Sequence, residues 1–362
     1  MDDLQRSAAL FTRAAAAFAP SHIKGLLQLT FSDAPELDCF VRFTDASLSL
    51  LAEADDEVDT RITLSLALLR LAYENPQLLD GRFPPWNDGA TVEGNMSLLN
   101  LAMQLLKLPS AADQAFFDRV DRDPAYARVD HITLLDRPGA AEITRAICAG
   151  RPVVAKGLLD ACPTRAWDWT TMCTEFGDAP LRYNPRTGEQ ETLSSFVRGM
   201  ADSAKKTVYL KGCALPVSMK SLFDIPLFES FSTSPEHMWF GRELQDKCVT
   251  PLHRDTAHSV LMHFCGHKKF WIYPPSQADS VYPIKAFNSY QRCYVAYPRA
   301  YDTQCYPKFQ QAKPLEIILA PGDLLMLPAG WFHCAWALDD VFSVSRFIGL
   351  NPFAKNLSAQ AE

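Results

Sequence analysis

The sequence has no long basic run, no apolar stretch of membrane-spanning length, no paired-cysteine motif and no internal repeat. Each absence removes a class of protein. Basic residues cluster no further than pairs such as Lys205–Lys206 and Lys268–Lys269, and the formal charge is -7. Non-specific phosphate binding needs clustered Lys and Arg, so nucleic acid is not an expected partner. No run approaches the ~18 apolar residues of a spanning helix, so no membrane span is expected. The 10 cysteines are scattered without a C-x-x-C pair, which argues against a zinc module or a thioredoxin-like motif. Most sit in apolar stretches, where a thiol behaves as a small hydrophobe. The opening MDDLQRSAALFTRAAAAFAP starts on acids rather than the basic-then-apolar order of a signal peptide. Reduced thiols and that opening lead to the expectation of a cytoplasmic protein.

What is present is an ordinary globular composition, 48% hydrophobic and 21% charged, over 362 residues, enough for two domains. Residues 4–19 are helical in composition. From 23 to 65 the segments IKGLLQLTFSD, DCFVRFTDASLSLLAEA and DTRITLSL alternate apolar and polar residues, the pattern of an antiparallel meander. Leu and Ala recur at helical spacing over 65–75 and 97–107, with the short strand ATVEGN between them. In the second helix Met96, Leu99, Met103 and Leu106 fall on one face, which could line an apolar cavity or pack on the sheet. Residues 111–135 are richer in charge and Pro and read as a linker. The second domain, 136–362, begins with a helix, a buried strand and another helix (GAAEITRAICAGRPVVAKGL, then WDWTTMCTEFGD). From 207 onward short strands and Pro/Gly turns predominate, as in a β-barrel or sandwich.

The chemistry lies in TPLHRDTAHSVLMHFCGHKKFWIYPP, residues 250–275. His253 and Asp255 are two apart on an expected strand and therefore project from one face. LAPGDLLMLPAGWFHCAW brings His333 to the mouth of the fold after a turn and an apolar strand. Two imidazoles and a carboxylate on one face leave three positions of an octahedral metal open, the arrangement of non-haem iron(II) oxygenases; zinc or manganese could occupy the same donors. His258, His263 and His267 are expected to be packed or hydrogen-bonded rather than to form a second site. Lys269 is expected on the face opposite Lys268. Arg346, in the otherwise apolar VFSVSRFIGL, is expected to have an acidic partner, either a ligand or a structural carboxylate. The tyrosine-rich segment 282–311 reads as a long insert that covers substrate.

Thr-Pro before the first ligand, Gly266-His267-Lys268 after it, Tyr273-Pro274-Pro275, Pro321-Gly322-Asp323 and Pro328-x-x-Trp331-x-His333 follow one another in an order that resembles the JmjC, or cupin-like, branch of the 2-oxoglutarate oxygenases. The likeness is greatest to its small hydroxylases, such as the asparaginyl hydroxylase that modifies a hypoxia transcription factor. It runs from about residue 136 to 350 and is specific over 250–349. It implies an all-β double-stranded β-helix (a jelly roll) with flanking helices, following an α+β N-terminal domain. It makes His253, Asp255 and His333 ligands of Fe(II), with 2-oxoglutarate as cosubstrate and O2 as oxidant. Lys268, Thr250 and Tyr209 would contact the distal carboxylate of 2-oxoglutarate. Where the family's hydroxylase has asparagines near the cosubstrate, the nearest equivalents by spacing are Ser259 and Arg346. Residues 1–110, above all GRFPPWNDGATVEGNMSLLNLAMQLL, resemble the sterol-carrier-protein type of lipid-binding domain, which implies an apolar ligand tunnel and carries over no individual residue.

The expected activity is hydroxylation of an unactivated C–H bond in an amino-acid side chain of a peptide, a protein or a carrier-tethered amino acid. N-methyl demethylation uses the same oxidant, and chromatin demethylases of this class often have Glu where this chain has Asp255. A non-enzymatic lipid- or ligand-binding protein with a cupin scaffold is the third reading. A hydrophobic ligand for the N-terminal domain and a homodimeric assembly stay open.

Overall fold

The computed structural model describes all residues except 1, 55, 81–84, 185–188, 203–206, 244 and 351–362. The Gly-Arg-Phe-Pro run at 81–84 and the Lys205–Lys206 pair lie outside them. The chain divides into two compact units, Met1–Phe116 with Asp279–Gln311, and Phe117–Ala278 with Ala312–Glu362.

In the first unit α1 (Asp3–Ala17) opens on a capping box, in which the Asp2 carboxylate accepts from Gln5 N at 2.8 Å and the Gln5 side chain accepts from Asp2 N at 3.2 Å. The strands β1 (Gly25–Phe31), β2 (Cys39–Phe43) and β3 (Leu48–Leu51) form the expected antiparallel meander. β4 (Thr60–Leu64) departs from it by crossing back to pair in parallel with β1, and β5 (Ala90–Gly94) closes the order β3-β2-β1-β4-β5. Alternation fixes which side chains face the core, and β2 keeps it throughout, with Cys39, Val41 and Phe43 buried. It does not fix which edge a strand joins, and the polar run 52–59 is long enough to cross.

The helices α2 (Leu66–Glu74) and α3 (Met96–Leu105) lie where the spacing places them. The buried face of α3 is a different one, however: Leu98, Leu101, Ala102 and Leu105 turn inward with Leu99, while Met96 is 48% exposed. Asn95 sets this orientation by accepting from Ser97 N and Leu98 N, and both stripes are apolar enough that spacing alone cannot choose between them.

The insert also differs from its expected role. Asn288 donates to the carbonyls of Gln77 (3.2 Å) and Leu79 (3.0 Å), Gln104 donates to Ala286 O at 2.8 Å, and Ala19 N donates to the Tyr294 hydroxyl at 2.7 Å. Tyr294 and Tyr306 stack at 6.3 Å. These buried groups make 279–311 part of the first unit's own core instead of a free cover.

The expected linker contains helices Ala111–Val120 and Pro124–Ala127 and, in the second unit, strand β6 (Thr133–Asp136), which pairs in parallel with β7 (Val153–Lys156). β8 (Thr207–Ala214), β9 (Phe231–Thr233) and β10 (His237–Glu243) precede the seven strands β11 (Thr250–Asp255), β12 (His258–Cys265), β13 (Lys268–Tyr273), β14 (Leu315–Leu319), β15 (Leu324–Leu327), β16 (Phe332–Ala337) and β17 (Val341–Leu350). One sheet runs β8-β10-β17-β12-β15-β7-β6, with β9 also on β17; the facing sheet runs β11-β16-β13-β14. From β10 onward the chain alternates between the sheets up to β13, continues into its neighbour β14, and then retraces the same alternation to β17. That path is a double-stranded β-helix.

Helices α4 (Ala140–Cys148), α5 (Trp169–Phe176) and α6 (Leu193–Ala201) cover the outer face of the first sheet, where Ile143, Met172 and Phe196 pack with Val260, Met262 and Val344. The interior between the sheets holds Leu261, Phe270, Ile272, Leu325, Trp331 and Ala335.

Candidate metal centre

β11 and β16 are paired antiparallel with His253 directly opposite His333, so both imidazoles stand on the interior face, and Asp255, two residues on, joins them. One ligand atom from each lies within 4.8 Å of the others. His253 Nε2 is 3.8 Å from Asp255 Oδ1, and His333 Nε2 is 3.7 Å from Asp255 Oδ2.

The other ring nitrogens explain the orientation. His253 Nδ1 is 2.8 Å from the Pro251 carbonyl, and His333 Nδ1 is 3.1 Å from the Trp331 carbonyl. A carbonyl can only accept, so each Nδ1 carries the hydrogen and each Nε2 turns a lone pair toward the carboxylate. Two lone pairs and an anion converging without a hydrogen between them form an electrostatic hole that a divalent cation fills, with the ring tautomers already set for ligation. The donor set therefore fits a metal of the iron, manganese or zinc type.

Burial keeps the His333 ring neutral. It pushes His333 from the ordinary 6.5 down to about 4, and the Lys268 ammonium adds to the effect. Burial also takes His258 and His263 to about 4. As expected, none of the other three histidines forms a second site. His258 Nδ1 accepts from Ala329 N at 3.1 Å. His263 accepts from the Ser343 hydroxyl at 2.9 Å and donates to Gly266 O at 2.8 Å. His267 pairs with Asp339 at 2.8 Å.

The sign for stability follows directly. With folded values depressed below the unfolded one, the unfolded chain binds more protons, so stability is full above about pH 6.5 and is lost as pH falls toward 4. Each fully buried ring contributes at most about 3 kcal/mol. Thermal unfolding in the presence of chelator should therefore show the melting temperature falling steeply between pH 6.5 and 4. A flat profile across that window would contradict the neutral, buried assignment.

Lys268 follows the hairpin at Gly266, whose φ of +71° and 2.3 Å approach of a notional Cβ to Asp340 O leave room for glycine alone. Lys268 is 1% exposed and opposite Ala337 on the interior face, while Lys269 points outward and pairs with Glu316 at 3.0 Å. Among the described residues no carboxylate pairs with Lys268; its ammonium instead lies 5.6 Å from the Trp239 ring, 5.7 Å from Phe270 and 5.8 Å from Tyr209. Burial pulls it down to about 7. Among the described residues the buried Tyr209 hydroxyl has no hydrogen-bond partner, and burial raises its pKa. An uncompensated ammonium and an unused hydroxyl donor in one apolar recess are suited to an anion.

Thr250 is three residues from His253, which strict alternation would place on the opposite face. A bulge between Thr250 and His253 brings it opposite Ala335 and so onto the interior face. Ser259, opposite Leu327 and Phe347, is interior as well. Arg346 is not. It lies opposite Val260 on the outer face, where its guanidinium pairs with Asp224 at 2.5 Å and with Glu236, and stacks over Phe228 at 4.7 Å. Two carboxylates already neutralise it, so the expectation that Arg346 contacts the cosubstrate is withdrawn. Trp239 and Phe270, which frame Lys268, had no motif to reveal them; the register of β10, β13 and β17 puts them there.

A double-stranded β-helix with two imidazoles and a carboxylate converging on its interior face defines a class, and sequence comparison agrees with it. The cupin-like domain family matches residues 139–347, and the chain belongs to that family. Among individual proteins it is 32% identical over 208 residues to the 2-oxoglutarate and iron-dependent oxygenase JMJD4 of Gallus gallus, covering 49% of this chain and 48% of the relative. It is 26% identical over 217 residues to lysine-specific demethylase 8 of Xenopus tropicalis, covering 54% and 47%. The arginine-specific demethylase JMJ20 of Arabidopsis thaliana is 32% identical over 99 residues, covering 27% and 21%. The chain thus spans about half the length, or less, of these curated relatives. No helix among the described residues is long and apolar enough to cross a membrane.

Proposed function

We propose that the chain is an iron(II)- and 2-oxoglutarate-dependent oxygenase that hydroxylates an amino-acid side chain of a peptide or protein. The observation that carries this reading is the pairing, on one interior face, of the His253/Asp255/His333 donor set with the unpaired Lys268 ammonium. Along β16 the partner of Lys268, Ala337, is four residues from His333, about 14 Å at the rise of an extended strand. A long lysine side chain and a short dicarboxylate together span that gap. Bound iron would supply O2 activation coupled to oxidative decarboxylation of 2-oxoglutarate to succinate and CO2.

The chain's own residues do the rest. His253, Asp255 and His333 hold three positions on one side of the ion and leave the others to cosubstrate and O2. Lys268, with Tyr209 and Thr250, fixes the far carboxylate. The apolar rings of Trp239 and Phe270 keep water from it, which strengthens the charge pairing. Ser259 is placed to touch the cosubstrate from the opposite sheet.

Two of the relatives are named as demethylases, which makes N-methyl demethylation the second reading. The test is succinate formation from 2-oxoglutarate under added iron(II), with a peptide and metabolite screen by mass spectrometry. A gain of 16 mass units on substrate fits hydroxylation, whereas loss of 14 with formaldehyde release fits demethylation; these shifts are about one oxygen atom and one methylene respectively. Absence of succinate with iron present would sink the oxygenase reading.

A further inference from the structure

The side chain between His253 and Asp255 does not face the candidate site, yet it is held by a charged partner of its own. Alternation turns Arg254 to the back of β11, where it is 2% exposed. Its guanidinium makes a two-point pair with the Asp121 carboxylate, Nη1 to Oδ1 and Nη2 to Oδ2, the latter at 3.1 Å. It lies 3.7 Å from the Phe117 ring centre and 4.5 Å from that of Phe332. Phe332 is the neighbour of His333. The back of the site is therefore a single plug in which the residue between ligands one and two stacks on the residue beside ligand three.

We propose that the Arg254–Asp121 pair is a positioning clamp that fixes the distance from Asp255 to His333 across the β11–β16 seam, and so sets metal affinity. The proposal rests on the metal-site reading above. A two-point guanidinium–carboxylate pair constrains both distance and angle, which an apolar contact of the same volume does not. A buried pair is a weak source of stability, because well-packed apolar residues often replace one at no loss. The location of this pair, directly behind three ligands whose spacing must hold to a few tenths of an ångström, points to geometry as its use. Partners that orient ligands without touching the ion typically change metal affinity 10–100-fold when removed, on the order of the effect expected here.

The test uses the full chain carrying Asp121→Asn, and separately the apolar pair Arg254→Met with Asp121→Leu. Co(II) is titrated calorimetrically and by its visible absorption bands, with His333→Ala as the baseline for adventitious binding. Melting of the metal-free proteins is measured in parallel. The expected result for the apolar pair is metal-free melting close to that of the wild type, Co(II) affinity about 10–100-fold weaker, and shifted bands; Asp121→Asn should lie between. Wild-type affinity and unshifted bands in either folded variant would reduce the pair to ordinary packing and overturn the proposal. So would unfolding of both variants, since the pair would then be holding the fold rather than the ligands. A wild-type chain that binds no Co(II) above the His333→Ala baseline would instead bring down the metal-site reading itself.

Discussion

Asp255→Ala should abolish 2-oxoglutarate decarboxylation while leaving the β-helix folded. Asp255 supplies the anionic donor of the set and faces both ligating nitrogens at 3.7–3.8 Å. Without it two neutral imidazoles remain, and water competes for the ion on nearly equal terms. The expected loss of turnover is on the order of a thousand-fold or more, well beyond the 10–100-fold typical of groups that merely orient a ligand. Metal titration, succinate assay and circular dichroism on one preparation measure the three quantities together. Turnover by the variant, or by wild type in rigorously iron-free buffer, would remove the metal from the account.

Lys268→Ala is expected to raise the apparent 2-oxoglutarate requirement steeply. A charge-assisted contact in a buried recess is worth roughly 2–3 kcal/mol, about thirty- to hundred-fold. The wild type should also show a pH dependence that the variant lacks. Burial brings Lys268 to about 7, so its charged form predominates below that pH and is depleted above it. Pairing with the distal carboxylate needs the ammonium, so KM for 2-oxoglutarate should climb from about pH 7 upward and stay flat in Lys268→Ala. Steady-state kinetics between pH 6 and 9 give both answers. An unchanged requirement in Lys268→Ala, with a raised one in Tyr209→Phe, would move the carboxylate contact to the tyrosine.

The clustering of His253, Asp255 and His333 was legible because H-x-D on a strand fixes a face, and the later Pro-x-x-Trp-x-His run marks a strand of similar apolar character. Lys268 was legible because the glycine hairpin fixes its distance from them. The face of Thr250 was not, since a one-residue bulge inverts the alternation that sequence allows one to count. For Arg346 the residue types left a ligand and a structural carboxylate equally open, and it is the register that decides for the structural pair. In VFSVSRFIGL the apolar residues Phe342, Val344 and Ile348 face outward under the helices, while Ser343 and Ser345 face the interior. Taking apolar residues as inward fails on a sheet covered on both faces. The buried face of α3 was hidden likewise, because both of its candidate stripes are rich in Leu and Met.

The discontinuity of the first unit has a consequence for the order in which the protein can be made. Residues 1–116 leave the ribosome first, but the segment that donates to their buried carbonyls, 279–311, follows only after the 162 residues from Phe117 to Ala278. At synthesis rates of roughly 5–20 residues per second, the nascent unit waits on the order of ten to forty seconds with Gln77 O, Leu79 O and the Gln104 side chain unmatched. Both halves of the β-helix are separated by that same segment, so β10–β13 must in turn wait for β14–β17. Each unit therefore stays incomplete until the chain beyond Asp279 has emerged, with strand edges unpaired in the interval.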